Sequence, residues 1–173
     1  MDKSPDSKQA KLWALTNIFC SSELLWSNKL SDEKEPAYTK RVLVPQFSAF
    51  AESLNEKQLN INSDGMTDRP RPVTLNGAQD FYPDMSLDLY GDRGIAVEVK
   101  YLSKKSYSDA LSKALGQAIL YSAFGYVGAV VLLISKSGEN EIAAKDLKIL
   151  NSGLEAAYVS VHIVHQNLGA VTS

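Results

Sequence analysis

Cysteine is nearly absent: Cys20 is the only one in 173 residues. A lone thiol cannot close an internal disulfide, which agrees with a reducing compartment. Histidine is almost as scarce, with His162 and His165 alone. Lying three apart on an alternating run, they face opposite sides of a strand and do not make a ligand pair. These soft donors are too few for a tetrahedral zinc site, so any metal must be held by oxygen. Long apolar runs are missing too. The longest, VGAVVLLI at 127–134, is far too short to span a bilayer and suits a buried strand. The N-terminus MDKSPDSKQAK carries no apolar signal core, so a cytoplasmic location is expected and no membrane contact. Nor is there a large charge of one sign. The net charge of −2 argues against a surface that grips nucleic acid everywhere, while leaving room for a local basic patch. No internal repeat or low-complexity segment is present.

What remains is an ordinary globular composition, 45% hydrophobic and 22% charged, with length for one sizeable core. Residues 4–26 place Leu12, Leu15, Ile18, Phe19 and Leu25 at roughly helical intervals, with Ser4 or Asp6 as a cap. A polar stretch at 27–36 interrupts the pattern. A second helical run, AYTKRVLVPQFSAFAESLN, contains Pro45, which is expected to kink or divide it. The Asn-, Asp-, Gly- and Pro-rich region from about 56 to 80 carries strand signals at QLNINS and PVTL. After a hairpin at 81–101 comes a helix at 106–125, capped by Ser106 or Ser108 and ending near Gly125. A buried strand, a helix (IAAKDLKILNSGLEAA) and a last strand (YVSVHIVHQ) follow. Helices, a hairpin and then alternating strand and helix predict an α/β three-layer sandwich around a central mixed sheet. We expect one domain, with a helical extension at 1–34, a core at 35–135 and a C-terminal helix and strand at 136–173.

The hairpin FYPDMSLDLYGDRGIAVEVKY is unusual for the acids in its strands. Alternation puts Asp84, Ser86 and Asp88 on one face of the first strand, and Ala96, Glu98 and Lys100 on one face of the second. A three-residue loop, Gly91-Asp92-Arg93, would pair Tyr90 with Gly94, Asp88 with Ala96, Ser86 with Glu98 and Asp84 with Lys100. A two-residue loop would slip the register by one and send the acids to opposite faces. Gly94 fits the left-handed position that a three-residue loop favours near its end. Taken alone, the pattern also fits a solvated face, with Lys100 screening Glu98. Against that, Ile95, Val97 and Val99 need a core on one side, and the 106–125 helix needs a sheet to cover.

Pro83-Asp84, thirteen intervening residues, then Glu98-Val99-Lys100 resembles the signature of the PD-(D/E)xK superfamily, the restriction-endonuclease-like nucleases. Gln117-Ala-Ile-Leu-Tyr121 resembles the QxxxY motif of its RecB-like members. Glu35-Pro-Ala-Tyr-Thr39-Lys-Arg is similar to the acid-bearing first helix of the nuclease domain in type I restriction subunits. The resemblance covers about residues 35–135 and implies an αβββαβ core. It also implies Mg²⁺, with Mn²⁺ as a substitute, held by Asp84, Glu98 and the Val99 carbonyl.

The chemistry agrees with such a set. Hydrolysis of a phosphodiester needs a nucleophilic water and neutralisation of the charge that builds on the phosphate. Carboxylate oxygens are natural ligands of the hard dication that supplies both. Lys100 would orient or help deprotonate the water and stabilise charge. Gln117 and Tyr121, one helical turn apart, would hold Lys100 or a phosphate oxygen in place. For the first-helix acid the resemblance favours Glu35, whereas Glu52 lies nearer the strands. Asp88 rivals Asp84, but Asp84 matches the signature. Lys104, Lys105 and Lys113 would meet a nucleic-acid backbone, an interaction that positions without reading sequence. DNA rather than RNA is expected from the resemblance alone, and a homodimer is conceivable because many nucleases of this fold pair to cut both strands. The alternative from another class is a non-catalytic binding or assembly module on the same fold.

Overall fold

A computed structural model describes residues 10–14, 34–53, 59–63, 68–75, 77, 79–89, 91–102, 107–136 and 142–168. Residues 10–14 are helical; the rest of the expected N-terminal helix, including Trp26, lies outside the described residues. Helix α1 (Glu35–Tyr38) starts on Pro36 at its first turn, where the missing N–H costs nothing. It runs through a π turn (Thr39–Leu43) into α2 (Val44–Ser53). Pro45 therefore neither breaks nor divides the helix. It cannot donate to the carbonyl four residues back, and a widened turn ends just before it, with the Val44 N–H reaching back to Thr39.

Strands β1 (Leu59–Ser63), β2 (Val73–Leu75), β3 (Gln79–Phe81), β4 (Met85–Leu89) and β5 (Asp92–Leu102) follow. Then come α3 (Tyr107–Ala123), β6 (Gly128–Lys136), α4 (Ala144–Ala156) and β7 (Val161–Leu168). The main sheet has five strands in the order β1-β4-β5-β6-β7. The first three are antiparallel, whereas β5, β6 and β7 are parallel, so the sheet is mixed. Strands β2 and β3 form a separate small hairpin; β3 had no clear signal in the sequence.

Two cores form because β6 is apolar on both faces and β5 adds an apolar face to one and Ala96 and Leu102 to the other. Ile95, Val97, Val99, Val130, Leu132 and Ile134 pack with Tyr38, Leu43 and Phe47 from the first helical segment. Ala96, Ala129, Val131 and Leu133 pack on the opposite side with Ala114, Ala118 and Tyr121 of α3. Helix, sheet and helix thus make three layers. Each fully buried branched aliphatic contributes roughly 1.5–3 kcal/mol, so this central pair of strands is the main anchor of the fold. Among the described residues no helix is long and apolar enough to cross a membrane.

The β4–β5 hairpin differs from expectation in a way that matters for the site. Leu89 pairs with Asp92, so the tip holds two residues, and the positive φ of 79° falls on Gly91 instead of Gly94. By itself this turn would have put the acids on opposite faces. Between Leu87 and Leu89 the register shifts, however, and beyond the shift Leu87 pairs with Ile95, Ser86 with Ala96 and Met85 with Val97. Arg93 and Gly94 together lie opposite Asp88, a β-bulge whose extra residue restores the parity. The expected pairs Asp88–Ala96 and Ser86–Glu98 are therefore displaced by two positions, which leaves every side chain on its expected face. Gly94 is needed for a different reason: a Cβ there would collide with the Leu87 carbonyl oxygen.

Candidate functional site

Pro83 ends the pairing of β4, which starts at Met85, while β5 continues to Leu102. Past Val97, the edge of β5 that faced β4 has main-chain N–H groups without a strand beside them. Carboxylates take that place. Asp84 Oδ2 accepts the Val99 N–H at 2.7 Å, and Glu35 Oε2 accepts the Tyr101 N–H at 2.9 Å. Alternate residues of a strand present their N–H groups to the same side, so the two acids stand along one edge.

Glu35 reaches this edge because α1 is held against β5. Tyr38, fully buried, meets the Tyr101 ring edge-on at 5.8 Å between centroids. Glu98 arrives from within β5, on the face covered by α3, and is 2% exposed. Its Oε2 lies 3.3 Å from the Tyr121 hydroxyl, which also donates to the Tyr82 carbonyl at 2.9 Å. The Gln117 side chain hydrogen-bonds to the same hydroxyl, so the pair meets Glu98 where the sequence reading had it hold Lys100 or a phosphate oxygen.

Lys100 is at the centre. Its Nζ lies 2.8 Å from Glu98 Oε1, 2.9 Å from Glu35 Oε1 and 3.9 Å from Asp84 Oδ2. It also donates to the Val99 carbonyl at 3.0 Å. The electrostatics follow from burial and crowding. Loss of solvent, reinforced by the negative charge of Asp84, pushes the Glu98 carboxyl up to about 7. Burial pulls the Lys100 ammonium down, but Glu98, Asp84 and Glu35 outweigh it and hold it protonated beyond the ordinary lysine range. Tyr121 is driven well above the usual phenol range by burial and by the neighbouring acids, so it is a hydrogen-bond donor.

The structure thus gathers Glu35, Asp84, Glu98, Val99, Lys100, Gln117 and Tyr121 into one place. Glu52 is exposed on α2, and Glu35 is the first-helix acid that reaches the cluster. Asp84 precedes β4 and hydrogen-bonds to Val99, so the expected pairing with Lys100 is replaced by a side-chain approach. Asp88 has a different task. Its Oδ1 accepts the Gly94 N–H of the bulge at 3.1 Å, and its Oδ2 accepts from Asn62 Nδ2 at 2.9 Å. Desolvation raises its pKa although the Gly94 bond, the charge of Arg71, a Ser86 bond and the charge of Arg93 oppose the shift. Lys113 is exposed on α3, whereas Lys104, Lys105 and Ser106 lie outside the described residues. Ser108 falls within α3 and is not its cap. His162 and His165 do face opposite ways: His165 bonds Ser135 at 2.9 Å, and burial lowers the His162 pKa.

One contributor to the cluster, Tyr82, and one partner of Asp88, Asn62, escaped the sequence reading. Tyr82 enters through its carbonyl, which no side-chain pattern reveals. Asn62 was legible in principle, since Asn60 and Asn62 alternate with apolar residues in LNINS.

A hard divalent ion fits the chemistry of this donor set, which is all oxygen: carboxylates and the Val99 carbonyl. The spacing is set for an ammonium instead. Oxygens near 2.8–3.0 Å from Nζ would each have to close by about 0.8 Å to bind Mg²⁺. Accordingly, among the described residues no group of three His, Cys, Asp or Glu side chains is already arranged as a metal cage. No family model matches the chain, and neither the curated proteins nor the solved structures it was compared with gave a match.

Proposed function

We propose that the protein is a metal-dependent nuclease hydrolysing DNA phosphodiester bonds. One observation carries the reading: Glu35, Asp84 and Glu98, with the Val99 carbonyl, converge on the Lys100 ammonium where β5 outruns β4. The order α1–α2, β1, β4, β5, α3, β6 supports the resemblance to a restriction-endonuclease-like αβββαβ core.

A Mg²⁺ ion held by Asp84, Glu98 and the Val99 carbonyl would supply the charge that acidifies water and offsets the negative phosphate. The chain's own groups do the positioning. Lys100, which the three acids hold protonated in the metal-free protein, would orient the attacking water and donate to phosphate oxygens as their charge grows. Until a metal enters, Glu35 holds it from the first helix. Tyr121 orients Glu98 and anchors the Tyr82 main chain, so the acid keeps one rotamer. In the reaction a water oxygen bonds to phosphorus as the ester P–O bond breaks, and the proton that the water gives up passes through solvent to the leaving oxygen. DNA is preferred to RNA on the resemblance, and Lys113 is an exposed candidate for a phosphate contact.

The second reading is a non-catalytic module of the same fold. It is favoured by the ammonium-spaced geometry, in which the acids are largely neutralised from within. The test is incubation of the full chain with supercoiled and linear DNA and with RNA, in Mg²⁺, Mn²⁺ or chelator. Metal-dependent cutting that is lost in Asp84→Ala and Glu98→Ala, with circular dichroism unchanged, supports the nuclease. Binding with no cleavage under any of these conditions supports the module.

A further inference from the structure

We infer that the Lys100 ammonium is the resident cation of the carboxylate pocket in the metal-free protein, and that a divalent ion enters only by displacing it. The inference rests on the reading that this pocket takes such an ion, and it adds how entry is regulated.

The argument begins with what holds the acids. Glu35 is tied to the Tyr101 N–H, Asp84 to the Val99 N–H and Glu98 to the Tyr121 hydroxyl. None of these bonds involves Lys100, so each acid has an anchor apart from it. Like charges held together need a cation, and here Nζ sits within 3.0 Å of Glu98, Glu35 and the Val99 carbonyl. An ammonium donates to oxygen at that distance; a small dication binds the same oxygens closer. The two cannot share the centre. Lys100 also has a way out, because its side chain is 20% exposed, against 2% for Glu98. A flexible four-carbon stem lets the ammonium swing toward solvent or a phosphate while the acids stay put.

The design differs from a simple salt bridge in its consequence. Removing a structural lysine weakens the fold and leaves metal affinity alone. Removing a resident cation opens the pocket and creates a demand for another.

Lys100→Met removes the charge and keeps most of the stem; Lys100→Gln keeps a donor for the acids. Calorimetric titration of the full chain with Ca²⁺ and Mn²⁺ reads affinity without requiring turnover. Thermal melts in chelator and in Mn²⁺ read the coupling to stability. The expected result is binding on the order of tenfold tighter in either variant than in wild type, as suits loss of a competing unit charge. The Mn²⁺-induced rise in Tm should also be larger than in wild type. If Lys100→Met folds only when Mn²⁺ is present, that too supports the inference, and Lys100→Gln then supplies the affinity. Equal or weaker metal binding in both variants overturns it. The outcomes separate from those of the nuclease reading. A protein that never cuts DNA but binds metal more tightly without Lys100 sinks only the nuclease. Metal-dependent cutting with no gain in affinity sinks only the displacement.

Discussion

Asp84 and Val99 are joined side chain to main chain, Oδ2 accepting the N–H at 2.7 Å where another residue of β4 would otherwise have paired. The acid is a strand terminator and a site residue at once. Asp84→Ala leaves that N–H without its partner and should cost about 1–3 kcal/mol. Asp84→Asn retains an acceptor of similar shape, so it should keep most of the stability while losing the carboxylate charge. Urea melts of both variants check this, and similar midpoints for the two would contradict it.

Tyr121 donates to the Tyr82 carbonyl and lies beside Glu98 with no exposed surface. Tyr121→Phe preserves the ring in the core and removes only the hydroxyl. A loss of about 1–2 kcal/mol is expected by denaturation. If the nuclease reading holds, kcat should fall more than KM rises, because the hydroxyl orients Glu98 without touching substrate.

Gly94→Ala should be among the most damaging small substitutions. Its Cβ would collide with the Leu87 carbonyl oxygen inside the bulge. Either the hairpin opens or the register changes, and loss of about 3 kcal/mol or more is expected. The variant should express poorly or show a lowered Tm; a melt like that of wild type would refute the close-approach argument.

The Glu98 carboxyl sets a pH dependence whose sign can be stated. Its pKa rises from an ordinary 4.5 to about 7 on folding, mainly through burial. The folded protein therefore binds this proton more tightly than the unfolded chain does. Its contribution to stability falls as pH climbs from about 4.5 through 7 and is level above. Lys100 works in the other window: raised above its ordinary 10.5, it contributes fully below that value and loses its contribution at more alkaline pH. In metal-free buffer, Tm between pH 5 and 8 should decline more in wild type than in Glu98→Gln. Added Mg²⁺ should reduce the decline.

Asn151 bonds both main-chain groups of Ile163, donating to its carbonyl at 2.9 Å and accepting its N–H at 2.8 Å. Among the described residues β7 is an outer strand of the sheet, and this amide occupies its open side as a neighbouring peptide would. Asn151→Ala should destabilise by about 1–3 kcal/mol and promote concentration-dependent association through the uncovered edge. Sedimentation velocity across a concentration series reads it, and an unchanged monomer-to-oligomer ratio would count against edge protection.

Some of this architecture follows from the residue pattern without any coordinates. The apolar run at 127–134 requires a buried strand, and Ile95, Val97 and Val99 require a core on one side of their strand, because a strand exposes its side chains alternately. The Gln117–Tyr121 spacing requires one helical face. Pro83 requires an interruption before Asp84. Composition alone forces any metal ligands to be oxygens. What escaped is the means by which the acids meet. The tip is a two-residue turn, which taken alone would have separated them, and the bulge at Arg93-Gly94 brings them back. Likewise Glu35 joins Lys100 across 65 positions only because Tyr38 and Tyr101 pack α1 against β5. Periodicity is a local property set by backbone geometry, so a chain carries it on its face. Parity across a bulge and the docking of a distant helix depend on which of several near-equal packings excludes water best, and that choice belongs to the folded whole.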